Sequence, residues 1–372
     1  MLIGVPKEIK VHEYRVGLTP ESVRTLMAGG HRVIVERDAG AGIGAADAEY
    51  TSAGAVIAAG AGEVFAQAEL IVKVKEPLAQ ERAWLRAGRA LFTYLHLAAD
   101  AEQTRDLVQS GVIAIAYETV SSPTGRLPLL APMSEVAGRM AIQVAAHFLE
   151  RAHGGRGVLL AGATGVAPGR VLILGAGVVG SNAARIALAL GAEVAVLSRP
   201  GDPLERLKAE LGPRLKTGIA TPQTIGEELA GADAVIATAM VPGGLAPKLV
   251  TRAMLAGMKQ GAVVVDVSID QGGCFETSRP TTHADPVFIV DGIIHYCVAN
   301  MPGVVPRTST YALNHATLPF VKAFADRGVV RALLDDEHLR NGLNVCRGAV
   351  TRREVAQATG YPYTDPLRAL GS

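Results

Sequence analysis

Short aliphatic runs alternate along the chain with longer amphipathic stretches. HRVIVE (31–36), ELIVKVK (69–75), ALFTYLHL (90–97) and VIAIAYE (112–118) read as strands. Segments rich in Ala, Glu and Arg, of helical length, separate them. Strand, helix and strand in repetition predict a largely parallel sheet covered on both faces, an α/β fold. Two Gly- and Pro-rich stretches interrupt the pattern. SSPTGRLPLLAPM (121–133) reads as a crossing between domains. One helix is expected after it, over 134–152, with Ser134 as N-cap and Glu135 near the positive helix end. NMPGVVPRTST (300–310) is the second break, and ALNHATLPFVKAFADRG after it is helical in pattern. The expected organisation is a domain at 131–304 inserted between the two parts, 1–130 and 305–372, of another.

Hydrophobic residues make up 49% of the 372 and charged ones 19%, enough apolar mass for two cores. Net charge is only +1, with no dense run of Lys or Arg, so no basic stripe for nucleic acid is present. The cysteines Cys274, Cys297 and Cys346 form no C-x-x-C pair. Neither a zinc site nor a disulfide framework is suggested, and no metal is assigned. Three reduced thiols in a reducing compartment are expected, with Cys274 a small apolar filler. The opening MLIGVPKEIK has no secretory apolar core, and no window approaches the roughly 20 apolar residues of a membrane span. A soluble, cytoplasmic protein is expected.

The sharpest local signal is RVLILGAGVVGSNAARIALALGAEVAVLS (170–198). A buried strand leads into Gly175, Gly177 and Gly180, spaced G-x-G-x-x-G. A helix follows and stops at Gly191, and Glu193 to Leu197 give a second strand. The first glycine permits a tight turn, the second lets the backbone approach a pyrophosphate, and the third lets helix and strand pack closely. Exposed N–H groups and the helix dipole then favour the anion. A tight turn without a ligand is the bland alternative, which the flanking strand, helix and strand count against. NAD-preferring folds place an acid at the end of the second strand to hold the ribose. Ser198 and Arg199 stand there instead. Arg199 either pairs with the 2′-phosphate of NADP or points to solvent, so NAD, NADP and dual use all stay open.

Ligands of doubly wound sheets lie beyond the C-terminal strand ends. ADAVIATAMVPGG ends in Met240 and Val241, GAVVVDVSIDQGG in Asp270, and IIHYCVANMPG in Asn300 and Met301. Asp270 is read as the only carboxylate among these ends, weighed against an ordinary turn aspartate beside two glycines. Lys73 and Lys75 are expected to share one face of the 69–75 strand, opposite Val72 and Val74. His96 is expected opposite Leu95 and Leu97. Taken singly, His96 defaults to a structural histidine, Lys75 to a solvated lysine and Arg15 to a surface arginine. Taken together they supply cations for a carboxylate and an imidazole for proton transfer, with Asp270 as the acid beside a hydride acceptor. Thr19 and Pro20 read as a helix N-cap and first turn.

GVPKEIKVHEYRVGLTPESV, VKVKEP, LFTYLHLAAD, AYETV followed by PLLAPMSEVAGRMA, VDVSIDQGGCFETSRPTTH and HYCVANMPGVVPRTSTYAL together resemble alanine dehydrogenase. The NAD-binding part of proton-translocating transhydrogenase shares some of these blocks. The resemblance implies two Rossmann-like, doubly wound parallel-sheet domains, the cofactor domain inserted into the substrate domain, and a homohexamer. It implies reversible oxidative deamination of L-alanine to pyruvate and ammonia, with hydride passing to NAD. By the family pattern Arg15 and Lys75 bind substrate, His96 is the acid/base and Asp270 the second catalytic residue. Cofactor contacts carry over to Ser134, to Val178 and Val179 in the glycine turn, and to Met240, Val241, Ile269, Arg279, Val298, Asn300 and Met301. Two departures stand out: the family usually has aspartate at Ser198, and AGATGVAPGR (161–170) replaces a Gly-Val-Pro-Gly run. A subunit that only passes hydride to a partner protein is the alternative, and a non-catalytic nucleotide sensor a more distant one. The set of Lys75, His96 and Asp270 argues against the hydride-passing subunit.

Overall fold

The computed structural model describes residues 1–240 and 245–371. The chain forms two compact units, Met1–Met133 with Gly303–Ser372, and Ser134–Pro302.

The first unit opens with six strands: β1 (Leu2–Val5), β2 (Arg32–Glu36), β3 (Val56–Ala58), β4 (Leu70–Val72), β5 (Ala90–Thr93) and β6 (Ile113–Ala116). The second contains β7 (Arg170–Leu174), β8 (Glu193–Ser198), β9 (Leu215–Ile219), β10 (Ala234–Ala237), β11 (Val263–Asp266), β12 (Val287–Val290) and β13 (Ile293–Tyr296). The chain then returns to the first unit with β14 (Leu343–Cys346) and β15 (Ala349–Val350).

Both sheets share one plan. The first runs β15-β14-β6-β5-β4-β1-β2-β3 and the second β12-β13-β11-β10-β7-β8-β9. In each, the chain starts mid-sheet, grows outward for two parallel strands, then crosses back and grows the other way. The reversal falls between β1 and β4 and between β7 and β10, the doubly wound order in which loops diverge at a switch point. Antiparallel pairing is confined to β6–β14, β14–β15 and β12–β13, at one flank of each sheet. Central strands are apolar throughout because helices cover both faces; β4 and β10 are buried at every position. Each unit has its own core, one around Ile34, Ile71, Leu91 and Leu107, the other around Leu172, Leu197, Val235, Val264 and Phe275.

Three expectations about elements are corrected. The 69–75 run leaves the sheet after Val72, so Lys73 and Lys75 do not share a strand face. Lys73 instead turns inward, fully buried between two carboxylates. The helix expected at 134 begins at Ala131 and runs to Phe148. Ser134 is therefore inside its first turns, not its cap, because Pro132 near the start needs no N–H partner and has its φ preset. The break expected over 300–310 is shorter, since Pro306 starts the long helix Pro306–Arg327.

Candidate active site

In the first unit the predicted polar residues follow β1 and β4, the strands flanking the reversal, and β5 beside them. The loop after β1 carries Arg15. Its guanidinium is 2% exposed and held flat by Glu13: Nε donates to Oε1 at 2.7 Å, Nη2 to Oε2 at 2.5 Å, and Nη1 reaches Met133 Sδ at 3.0 Å. Arg15 is thus no surface arginine. The same loop is pinned from behind by the helix Pro306–Arg327. Asn314 accepts from the Thr19 N–H at 2.8 Å and the Ser22 hydroxyl at 2.9 Å, and donates to the Gly17 carbonyl at 3.0 Å. A Cβ at Gly17 would lie 2.3 Å from the Val72 carbonyl, so only glycine lets the loop cross β4 this closely. Thr19 caps Pro20–Ala28 as expected, accepting from the Ser22 N–H.

After β4, Lys73 Nζ donates to Glu81 at 2.7 Å and Glu8 at 3.2 Å. Glu8 also accepts from the Val74 N–H at 2.7 Å. Burial pushes the Glu8 carboxyl up, and Lys73 opposes that shift. This buried trio fixes the turn that presents the half-buried Lys75, whose carbonyl accepts from the Thr93 hydroxyl at 2.9 Å. After β5, His96 sits in the left-handed region at φ 52°, with half of its side chain exposed. Its ring stacks on Tyr94, 6.0 Å between centroids and nearly parallel. Tyr94 in turn donates to the Leu129 carbonyl at 2.5 Å. Glu118, after β6, accepts from the His96 N–H at 2.7 Å and the Leu95 N–H at 3.3 Å, and lies 3.8 Å from His96 Nδ1. One carboxylate therefore holds an unfavourable backbone turn and faces the imidazole it presents.

In the second unit the glycine turn can be tested position by position. Gly175 has φ +112°, open to glycine alone among ordinary residues. A Cβ at Gly180 would fall 1.9 Å from the Gly175 carbonyl, whereas one at Gly177 would meet nothing within 4 Å. The first and third glycines are thus required by the fold, whereas at the second the chain itself leaves room for a side chain. No side chain caps the helix Val178–Ala189 at Gly177, which leaves its first N–H groups for an anion. A pyrophosphate fits these residues. A Cβ at Gly138 would lie 2.2 Å from the Val179 carbonyl, so the helix carrying Ser134 lies directly against this turn. Thr238, at the end of β10, donates to the Leu174 carbonyl at 3.0 Å and closes the sheet at its reversal.

The other predicted residues that are described follow the ends of β8, β10, β11 and β13. Ser198 ends β8 and is half-buried, while Arg199 is exposed. Met240 is exposed beyond β10, and Val241 lies outside the described residues. Asp270 is exposed in the turn Ile269–Gln271, with Ile269 buried beside it. Val298 and Met301 are buried, Asn300 has φ +70°, and Arg279 lies 4.2 Å over the Phe288 ring.

Asp270 is not the only carboxylate at these ends. Asp266, the last residue of β11, is buried and accepts from the Cys274 N–H at 2.7 Å and the Ser278 hydroxyl at 2.6 Å. Burial pushes its carboxyl up. It ties down both sides of the turn that carries Asp270. Glu13, Glu118 and Asp266 are the site carboxylates that residue patterns alone overlook. The usable signal was positional, for Glu118 and Asp266 stand at strand ends like the residues that were selected. Cys274 is buried, as a filler would be, and burial pushes its thiol up to about 11.

Sequence models of the alanine dehydrogenase/PNT N-terminal and C-terminal domains match residues 4–137 and 141–353. The chain is 56% identical to an alanine dehydrogenase of Halomonas elongata over 371 residues, covering all of both proteins. Among solved structures it is similar to an L-alanine dehydrogenase, with TM-score 0.94 and 48% identity over 97% of this chain and 99% of that one. It is similar also to a transhydrogenase from Sinorhizobium meliloti, with TM-score 0.83 and 28% identity over 94% of this chain and all of that one.

Proposed function

This chain belongs to the alanine dehydrogenase/PNT family, and on that premise we propose that it catalyses the reversible oxidative deamination of L-alanine to pyruvate and ammonia. The observation that carries this reading is end-to-end likeness to alanine dehydrogenases, at twice the identity found with the transhydrogenase. The cofactor is NAD, which when bound accepts the hydride from the substrate Cα.

The roles of individual residues follow from their chemistry. The uncapped turn at Gly175, Gly177 and Gly180 binds the cofactor pyrophosphate, flanked by Val178 and Val179. Ser134, Met240, Val241, Ile269, Arg279, Val298, Asn300 and Met301 complete its cradle. Arg15 receives the substrate carboxylate, with its plane fixed by Glu13. Lys75 adds a second cation near the carboxylate and the developing carbonyl oxygen. His96 takes and returns the protons of the water that adds to the iminium, and Glu118 orients its ring. Asp270 orients that water and favours the cationic intermediate. Ser198 and Arg199 admit NADP as well as NAD, because no acid at this strand end repels a 2′-phosphate. We further propose a homohexamer in the cytoplasm. The buried, unpaired cysteines suit a reducing compartment. Among the described residues no helix is long and apolar enough to cross a membrane.

The test is steady-state kinetics with pyruvate, ammonium and NADH or NADPH, followed by loss of reduced-cofactor absorbance. Turnover with pyruvate, lowered by about 100- to 10,000-fold in His96→Ala, is expected. No turnover in the wild type, or an undiminished rate in His96→Ala and Asp270→Ala, would overturn the assignment.

A further inference from the structure

The helix Ala131–Phe148 ends beside a cluster that the reaction does not use. His147, Glu150 and His153 are all exposed, and their ligand atoms all lie within 4.8 Å of one another. It is the only such group of three found among the described residues. Had the helix continued, His147 and His153 would stand about 9 Å apart along its axis. The chain instead breaks after Phe148, and a 3-10 turn over Arg151–His153 folds the second imidazole back onto the first. The rings are 3.9 Å apart between centroids, tilted by 40°. Glu150 serves both, with Oε1 at 4.0 Å from His147 Nδ1 and Oε2 at 3.5 Å from His153 Nε2.

This arrangement is set by the backbone. Glu150 N–H donates to the His147 carbonyl at 3.2 Å, and His153 N–H to the Glu150 carbonyl at 3.1 Å. The Glu150 carbonyl also receives the Gly155 N–H at 3.1 Å. A Cβ at Gly155 would lie 2.2 Å from the Phe148 carbonyl, so the return of the chain is pressed tightly against the helix end. The Phe148 ring stands edge-on to both imidazoles, at 5.0 and 5.9 Å, and packs near Tyr296 of β13. The backbone of the turn is therefore ordered before any ligand arrives, which leaves only the side chains to be fixed.

We propose that His147, Glu150 and His153 bind one divalent transition-metal ion, zinc being the best match. Two imidazoles and one carboxylate supply three of the four ligands of a tetrahedral site and leave the fourth to water. Ligands about 2.0–2.2 Å from such an ion lie roughly 3.3–3.5 Å from each other. The separations here reach that spacing by small side-chain rotations. Bound there, the ion clamps the end of the helix to the turn that follows.

Zinc sulfate titrated into tag-free, EDTA-stripped full-length protein, read by calorimetry and by metal content after dialysis, tests the proposal. One zinc per chain is expected in the wild type, with a raised Tm. The double variant His147→Ala/His153→Ala should bind one zinc fewer and lose the Tm rise. Glu150→Gln should weaken binding by about 10- to 100-fold. All three side chains are exposed, so the metal-free Tm of each variant serves as the control for folding. Absence of saturable binding in the wild type, or equal stoichiometry in the double variant, would overturn the proposal.

Discussion

Gly177 and Gly180 sit three positions apart and respond oppositely to an added methyl group. At Gly180 the methyl collides with the Gly175 carbonyl, while at Gly177 it enters open space at a permissible φ of −71°. Gly180→Ala is expected to lower stability by about 3 kcal/mol, measured by denaturant unfolding. Gly177→Ala should leave stability unchanged and raise the Kd for NADH at least about tenfold, a loss of about 1.4 kcal/mol, measured by fluorescence titration. Lys73 makes a different kind of demand. Lys73→Met leaves Glu8 and Glu81 buried without their cation, at a cost of about 3–5 kcal/mol near neutral pH. Burial already raises the Glu8 carboxyl, so folding shifts it toward the protonated form relative to the unfolded chain. Stability tied to that proton is complete below the unfolded pKa and is lost as pH rises through the folded one. The variant's deficit should therefore be smaller at pH 5 than at pH 8 in parallel melts, and a deficit independent of pH would contradict this account of the trio.

At the scale of elements, the helix Pro306–Arg327 shows how a distant segment governs a loop. Asn314 makes three buried hydrogen bonds to the stretch just after Arg15. Asn314→Ala strands these groups, and a loss on the order of 3 kcal/mol is expected. The KM for pyruvate should rise while that for NADH holds, because the glycine turn belongs to the other compact unit. Equal changes in both would count against the pinning role. Strand positions and the strand–turn–helix at Gly175 were legible in the sequence because apolar runs and glycine spacing are local signals. Their ends were less so. The 69–75 run looks like strand to its last residue, yet Lys73 leaves the sheet for Glu8 and Glu81, partners fixed only by tertiary packing. Pro132 and Pro306 misled in the same way, since each marks the start of a helix where a break was expected.

At the scale of the whole molecule, the α/β class and the residues that ride on strand ends could be read from pattern and resemblance. What their supporting carboxylates hold could not, although Glu118 and Asp266 share the strand-end position. Glu13, Glu118 and Asp266 hold Arg15, His96 and the Asp270 turn through bonds that no spacing rule specifies. The proposed hexamer predicts a solution mass about six times the 38.6 kDa of the chain by light scattering. A species of one or two chains at assay concentration would refute it.

The shared strand order also bears on how such a catalyst can be re-tooled. Lys75, His96 and Asp270 each stand just past the carboxyl end of a strand, while the apolar cores lie within the sheets. Diversity introduced in the loops beside those positions, with the catalytic side chains kept, would redraw substrate preference against an unaltered scaffold, so a selection for new amino-acid substrates has a small and well-defined set of codons to explore.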